Sequence, residues 1–162
     1  IQYYSSPVEL AQMVIAGQVD LAALPEPWVT EVIHKDPSFR VLLDYQQEWK
    51  RVDRRRKSFP QSCLVVRTDL AKRNPQFVRR FLQAARASGT WVMKTPETAG
   101  ALAQTYLSIS ASAARDAIPR CNLQFTWAMD DKREITYFLE QLYQLTPEAT
   151  GGKLPDEGFY FK

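Results

Sequence analysis

The chain has 162 residues, 45% of them hydrophobic and 24% charged, the composition of a globular protein and the length of one ordinary domain or two small lobes. At this size about 70% of the unfolded surface can be buried, so general disorder is excluded, and no apolar run approaches the ~20 residues of a membrane helix. A net charge of +3 permits an anionic partner without requiring one.

The opening alternates between strand-like and helical patterns. IQYY reads as a short strand. Ser6 precedes Pro7, and Glu9 follows, a capping box with proline at the first helical position. Leu10, Met13 and Val14 then recur at helical spacing, and Gly17 is the natural stop. VDLAALP is nearly all apolar, as a strand covered on both faces would be. Pro27 opens a second helix carrying Val29, Val32 and Ile33, which Asp36-Pro37 closes. RVLLDY reads as a third strand. Strand and helix in alternation with short connections is the α/β pattern.

EWKRVDRRRKSFP then breaks the pattern; it is charged, lacks an apolar period and reads as a connector or hinge. SCLVV is a fourth strand, and Cys63 within it is expected to be a buried thiol. Cys63 and Cys121 lack metal-ligand spacing, and a single disulfide between them is left open. Asn74-Pro75 opens a long helix with Phe77, Val78, Phe81, Leu82 and Ala85 on one face. Thr95-Pro96 opens another, with Ala99, Leu102, Ala103 and Tyr106. A shorter helix is predicted over 112–120. Asp131 and Glu134 begin the last, with Ile135, Phe138, Leu139 and Leu142 inward, before a turn-rich aromatic tail. A lone strand followed by four helices cannot make its own sheet. Its partner strands are expected to precede Ile1, in keeping with a first residue that is not Met.

Several stretches together resemble the solute-binding proteins of ABC transporters, in the group that includes nitrate, sulfonate, taurine and thiamine-precursor binders. PVELAQMVIAGQVDLAALPEPWVTEVI is similar to the segment in which a helix, a glycine and VDxAxLxEP succeed one another. FPQSCLVV, NPQFVRRFLQAARASGTWV and TPETAGALA resemble the return strand and long helices of that group, and GGKLPDEGFYF its carboxy-terminal ending. The resemblance implies a two-lobed α/β periplasmic-binding-protein-like fold of type II, with the ligand in the cleft between lobes. This chain would be its C-terminal part, with incomplete lobes and a helical coat. Residues 1–48 would be the latter half of the second lobe, 49–60 a hinge or connector, and 61–162 the returning part of the first lobe with the C-terminal helices. Sheet edges exposed in such a piece invite pairing. The expectation is therefore a piece of a longer chain or an intertwined homodimer.

Ligands in open α/β sheets bind beyond the carboxyl ends of strands. Two such ends are readable, at Tyr4-Ser5-Ser6 and at Pro25-Glu26-Pro27-Trp28. The candidate ligand-binding residues are Ser5, Ser6, Glu26, Pro27 and Trp28, joined by Gln61 and Ser62, which resemble the family's hinge return. Each has a structural reading beside the functional one. Ser6 is a helix cap, and backbone N–H groups at the Pro7 helix start suit an anion. Glu26 sits where a helix dipole stabilises a carboxylate. Trp28 either stacks on a flat ligand or packs. Tyr45, Gln46 and Gln47 either line a cleft or begin a solvated connector.

KRVDRRRK, residues 50–57, has no interleaved aromatics and reads as a solvated connector rather than a nucleic-acid arm. The single histidine, His34, is expected at the surface near a helix end. No nucleophile and base, nucleophile elbow, phosphate loop or metal-ligand cluster is assembled, so no catalytic residue, metal or cofactor is assigned. A relative of this fold makes the thiamine pyrimidine with a cysteine-rich motif and a histidine, and this chain shows no such cysteine cluster. The resemblance thus implies the extracytoplasmic binding component of an ABC importer, not an enzyme. It would capture a small organic or oxyanionic ligand by hinge closure and present it to a membrane permease, in the periplasm or lipid-anchored at the cell surface. The alternatives are an enzyme resembling thiamine-pyrimidine synthase, or a ligand-sensing domain of a signalling protein.

Overall fold

The computed structural model describes residues 1–52 and 58–161. They form eight α-helices, α1 Pro7–Ile15, α2 Trp28–Lys35, α3 Tyr45–Val52, α4 Thr68–Arg73, α5 Pro75–Lys94, α6 Pro96–Leu107, α7 Ala111–Ala117 and α8 Lys132–Leu145, with short 3-10 turns after α7, after α8 and near the end. They fall into two compact units, Ile1–Leu42 with Ala84–Gln124 and Leu43–Gln83 with Phe125–Lys162.

The helix ends follow local chemistry. Ser6 caps α1, its hydroxyl accepting from the Glu9 N–H at 3.2 Å, with Pro7 at the first position. At the other end Gly17 takes φ +70°. The Gly17 N–H donates to the Val14 carbonyl and the Gln18 N–H to that of Met13, both at 3.0 Å, closing the double-bonded turn that a left-handed glycine permits.

The four predicted strands differ. No described residue lies in a β-strand, and IQYY, VDLAALP, RVLLDY and SCLVV are irregular. A strand exists only through the ladder it makes with a neighbour, and among the described residues these segments make none. Several of their apolar side chains are therefore open to solvent: Leu21 is 77% exposed, Leu42 73% and Val65 85%. Cys63, expected to be buried, is exposed for the same reason. The end of RVLLDY is instead the start of α3. The Asp44 carboxylate accepts from the Gln46 and Gln47 N–H groups at 2.9 and 3.2 Å, so Tyr45, Gln46 and Gln47 form a capped first turn. The charged segment predicted as a connector thus begins inside a helix; residues 53–57 lie outside the described residues.

In the first unit, Ala11, Val14 and Val32 form one buried cluster, with Leu10, Val19, Leu24 and Phe39 against it. Ile109, Ala113 and Ala114 form a second, with Ala103 against it. Trp28 packs on both. The inward face of α6 is Ala99, Gly100 and Ala103, whereas Leu102 and Tyr106, predicted inward, are 44% and 77% exposed. The reason is distance: a Cβ on Gly100 would lie 2.5 Å from the Ala111 carbonyl oxygen, so only small side chains fit between α6 and α7.

In the second unit, Val78 of α5 and Tyr160 are the buried hydrophobic residues, while Phe77 and Phe81, predicted on the same face as Val78, are more than half exposed. Trp49 of α3 meets Phe59, Tyr137 and Phe138 edge-on at centroid distances of 5.6, 5.8 and 5.9 Å. Phe59 stacks on Phe138 at 5.5 Å. The Gln46 amide holds Phe59 in place, donating to its carbonyl at 3.1 Å and accepting from its N–H at 3.2 Å, as a neighbouring strand would. Thr136 and Tyr160 share a hydroxyl hydrogen bond of 3.1 Å.

Candidate functional site

Glu26 sits between Leu24, which packs in the first cluster, and the start of α2. Proline at position 27 has no N–H and no side-chain acceptor, so the carboxylate one residue earlier takes over the capping. Glu26 Oε2 accepts from the Thr30 N–H at 3.1 Å and from the Thr30 hydroxyl at 2.9 Å. Its other oxygen, Oε1, is buried and lies 2.7 Å from Arg120 Nε, the side chain of Glu26 being 11% exposed and that of Arg120 46%. The Glu26–Pro27 bond is cis. The Trp28 and Val29 N–H groups both donate to the Pro25 carbonyl, at 3.0 and 3.3 Å.

Ser5 and Ser6 are placed by the same logic. Glu9 reaches back from the first turn of α1, and its Oε2 accepts from the Ser5 N–H at 3.0 Å and from the Ser5 hydroxyl. Ser5, Ser6, Glu26, Pro27 and Trp28 all belong to the first unit. Gln61 and Ser62 belong to the second and are exposed in the irregular segment before α4.

Two ties between α2 and α7 carry no mark in the sequence. Glu31 lies among Val29, Val32 and Ile33, yet its carboxylate is buried and accepts from the Ser110 hydroxyl at 2.6 Å and the Ser110 N–H at 3.3 Å. The sole hint was an acidic residue at a helical position flanked by apolar ones. His34, exposed in the last turn of α2, places Nε2 3.2 Å from Asp116 Oδ2. Arg115, bonded to Asp116 at 2.6 Å, holds that carboxyl below the usual range.

Cys121 follows Arg120 and is half-buried, and both cysteines are free. Burial pushes its thiol up, the charge of Glu26 adds to the rise, and Arg120 opposes it. A raised thiol leaves less thiolate near neutral pH, and the thiolate is the nucleophile. With iodoacetamide at pH 8, exposed Cys63 is therefore expected to alkylate before Cys121. The gap should close in urea; equal rates in the native protein would contradict the burial of Cys121.

Among the described residues no group of histidine, cysteine and acidic side chains could hold a metal ion, and no helix is long and apolar enough to cross a membrane. Two surface depressions, of about 530 and 660 Å³, lie in the second unit, the first beside Lys132, Thr136 and Tyr137 and the second beside Leu139, Leu154 and Phe159. Neither is lined by a candidate ligand-binding residue.

The family model described as NMT1/THI5 like matches residues 9–99, more than half of the chain. A crystal structure of an ABC transporter from Parabacteroides distasonis superimposes with a TM-score of 0.81 at 26% identity, covering 100% of this chain and 56% of that one. The chain thus spans a little over half the length of that solved relative. No curated protein matches it. Both similarities agree with the resemblance read from the residues.

Proposed function

The chain belongs to the NMT1/THI5-like family, and from that premise we propose that it is part of the solute-binding component of an ABC importer. The observation that carries this reading is the similarity along the whole chain, at 26% identity, to a solved ABC transporter. The protein would capture a small organic or oxyanionic solute by hinge closure, with no chemistry performed on it. Binding can favour the closed state only through contacts that the open state lacks. The loaded form would then be handed to a membrane permease, outside the cytoplasm.

The exposed apolar segments support the lobe assignment. Leu21, Leu42 and Val65 lie in stretches that read as covered strands, yet they are open to solvent. We propose that these stretches take sheet partners from the rest of a two-lobed protein or from a second copy. In this reading residues 1–48 complete one lobe, 49–60 connect, and 61–162 return to the other. Ser5, Ser6 and Glu26–Trp28 are the proposed ligand-side turns of the first, and Gln61 and Ser62 those at the return.

Native mass spectrometry of the gently purified protein tests the reading. A stoichiometric small molecule is expected to accompany it and to give the mass of the solute. A protein that carries nothing, and that gains no thermal stability from any of a panel of candidate solutes, would overturn it.

A further inference from the structure

We infer that Gln46, Trp49 and Phe59 form a clasp that makes both ends of the charged connector one piece with α8, so that hinge closure bends the chain outside Gln46–Phe59. This rests on the hinge-closure reading and removes the connector, residues 49–60, from the part that bends. A hinge is a few loop or element-terminal residues that are free to change φ and ψ. The connector's described ends lack that freedom. Trp49 and the residues up to Val52 lie inside α3, where a change of φ or ψ breaks helical hydrogen bonds. Phe59 has both of its backbone polar groups bonded to one side chain. Gln46 Nε2 donates to its carbonyl at 3.1 Å, and its N–H donates to Gln46 Oε1 at 3.2 Å. Both bonds are part-buried, so turning Phe59 strips a backbone group of its partner away from bulk water, which is costly.

Side chains fasten the same two ends to a third element. Trp49 and Phe59 meet edge-on at 5.6 Å, and both meet Phe138 of α8, at 5.9 and 5.5 Å. Trp49 also meets Tyr137 of α8 at 5.8 Å. All four distances lie in the range at which aromatic pairs attract. The Trp49 indole N–H is buried and has no hydrogen-bond partner among the described residues, so ring contacts and not a polar anchor hold this side chain. The path of the chain agrees. It passes between the two units at Leu42–Leu43, Gln83–Ala84 and Gln124–Phe125, and none of these points lies between Gln46 and Phe59. A segment whose two ends are fastened to each other and to one helix of the same unit cannot turn one unit against the other by bending.

Nitroxide spin labels test this without a solute. The exposed positions Lys50 of α3 and Gln144 of α8 are labelled as Lys50→Cys and Gln144→Cys, in protein carrying Cys63→Ser and Cys121→Ser. Pulsed electron resonance is expected to give one narrow Lys50–Gln144 distance; a broad or split distance overturns the inference. Trp49→Ala is expected to broaden or split it. Trp49→Phe should leave it narrow, because phenylalanine keeps a ring in the cluster and loses an N–H that has no partner. A folded Trp49→Ala protein with the narrow distance intact overturns the clasp. Should that variant not fold, Gln46→Ala, which strips Phe59 of both bonds, carries the same test. A second pair, Lys50→Cys with Gln12→Cys at an exposed position of α1, reads closure and separates the two readings. If this pair spreads while Lys50–Gln144 stays narrow, the bend lies outside the clasp, as inferred. If both pairs spread alike, the clasp is overturned and hinge closure stands. A single narrow distance in both counts against hinge closure and leaves the clasp standing.

Discussion

Gly100→Ala is expected to destabilise the first unit by about 2 kcal/mol, in the range of overpacking a tight contact. Helix propensity argues the other way, since alanine in a helix interior is favoured over glycine by about 1 kcal/mol. The geometry decides which effect wins. The new Cβ would lie 2.5 Å from the Ala111 carbonyl oxygen and 3.2 Å from both the Cβ and the backbone nitrogen of Arg115. Those neighbours are main chain or anchored to it, so no side-chain rotation relieves the contact; α7 has to move off α6. That movement opens the cluster of Ile109, Ala113 and Ala114. A thermal midpoint lower by roughly 4–8 °C is expected, at about 2–4 °C per kcal/mol for a chain of this size. Ala101→Gly, at the neighbouring exposed position of the same helix, is the control. It should cost only its propensity, about 1 kcal/mol. If Gly100→Ala instead raises the midpoint, the close approach of α6 and α7 is wrong.

The same contact shows why some of the fold was legible and some was not. Helix ends are local, and the residues that make them are neighbours in sequence. Ser6, Pro7, Glu9 and Gly17 delimit α1 as their chemistry predicts, and Thr95-Pro96 marks the start of α6. The face a helix buries is decided by what approaches it. The large residues Leu102 and Tyr106 were therefore the wrong guide on α6, where Ala99, Gly100 and Ala103 face inward. Strand character failed for a related reason. VDLAALP and SCLVV have the composition of strands, but composition supplies no ladder, and among the described residues they have none. Asp44 was a visible cap for α3; the apolar run before it drew Tyr45 into a strand instead. At the candidate site, both the capping role of Ser6 and the placement of Glu26 at a helix start were readable. The Arg120 that completes the Glu26 contact was not, because nothing local to either residue points to the other.

The tie between Glu31 and Ser110 is the other place where a single change should matter. Glu31→Ala is expected to cost about 2–3 kcal/mol, the range for losing hydrogen bonds to a charged group and stranding buried donors. Glu31 is 9% exposed, and its Oε2 takes both the Ser110 hydroxyl at 2.6 Å and the Ser110 N–H at 3.3 Å. Removing the carboxylate leaves both part-buried Ser110 donors without this acceptor. The Ser110 hydroxyl also accepts from the Ala113 N–H at 3.4 Å, so one group caps α7 while the other end of its hydrogen-bond capacity anchors α2. Loss of the carboxylate should therefore loosen the first turn of α7, a change that hydrogen exchange at Ala113 and Ala114 would register. Glu31→Gln keeps an acceptor oxygen in place and should cost about half as much, as expected when a neutral bond replaces a charge-assisted one. A double-mutant cycle with Ser110→Ala isolates the pair, and a coupling above ~1 kcal/mol is expected for groups in direct contact. A Glu31→Ala protein within ~0.5 kcal/mol of the native one, the range of ordinary surface changes, would mean that water replaces Ser110's partner and that α2 and α7 are held by their apolar contacts alone.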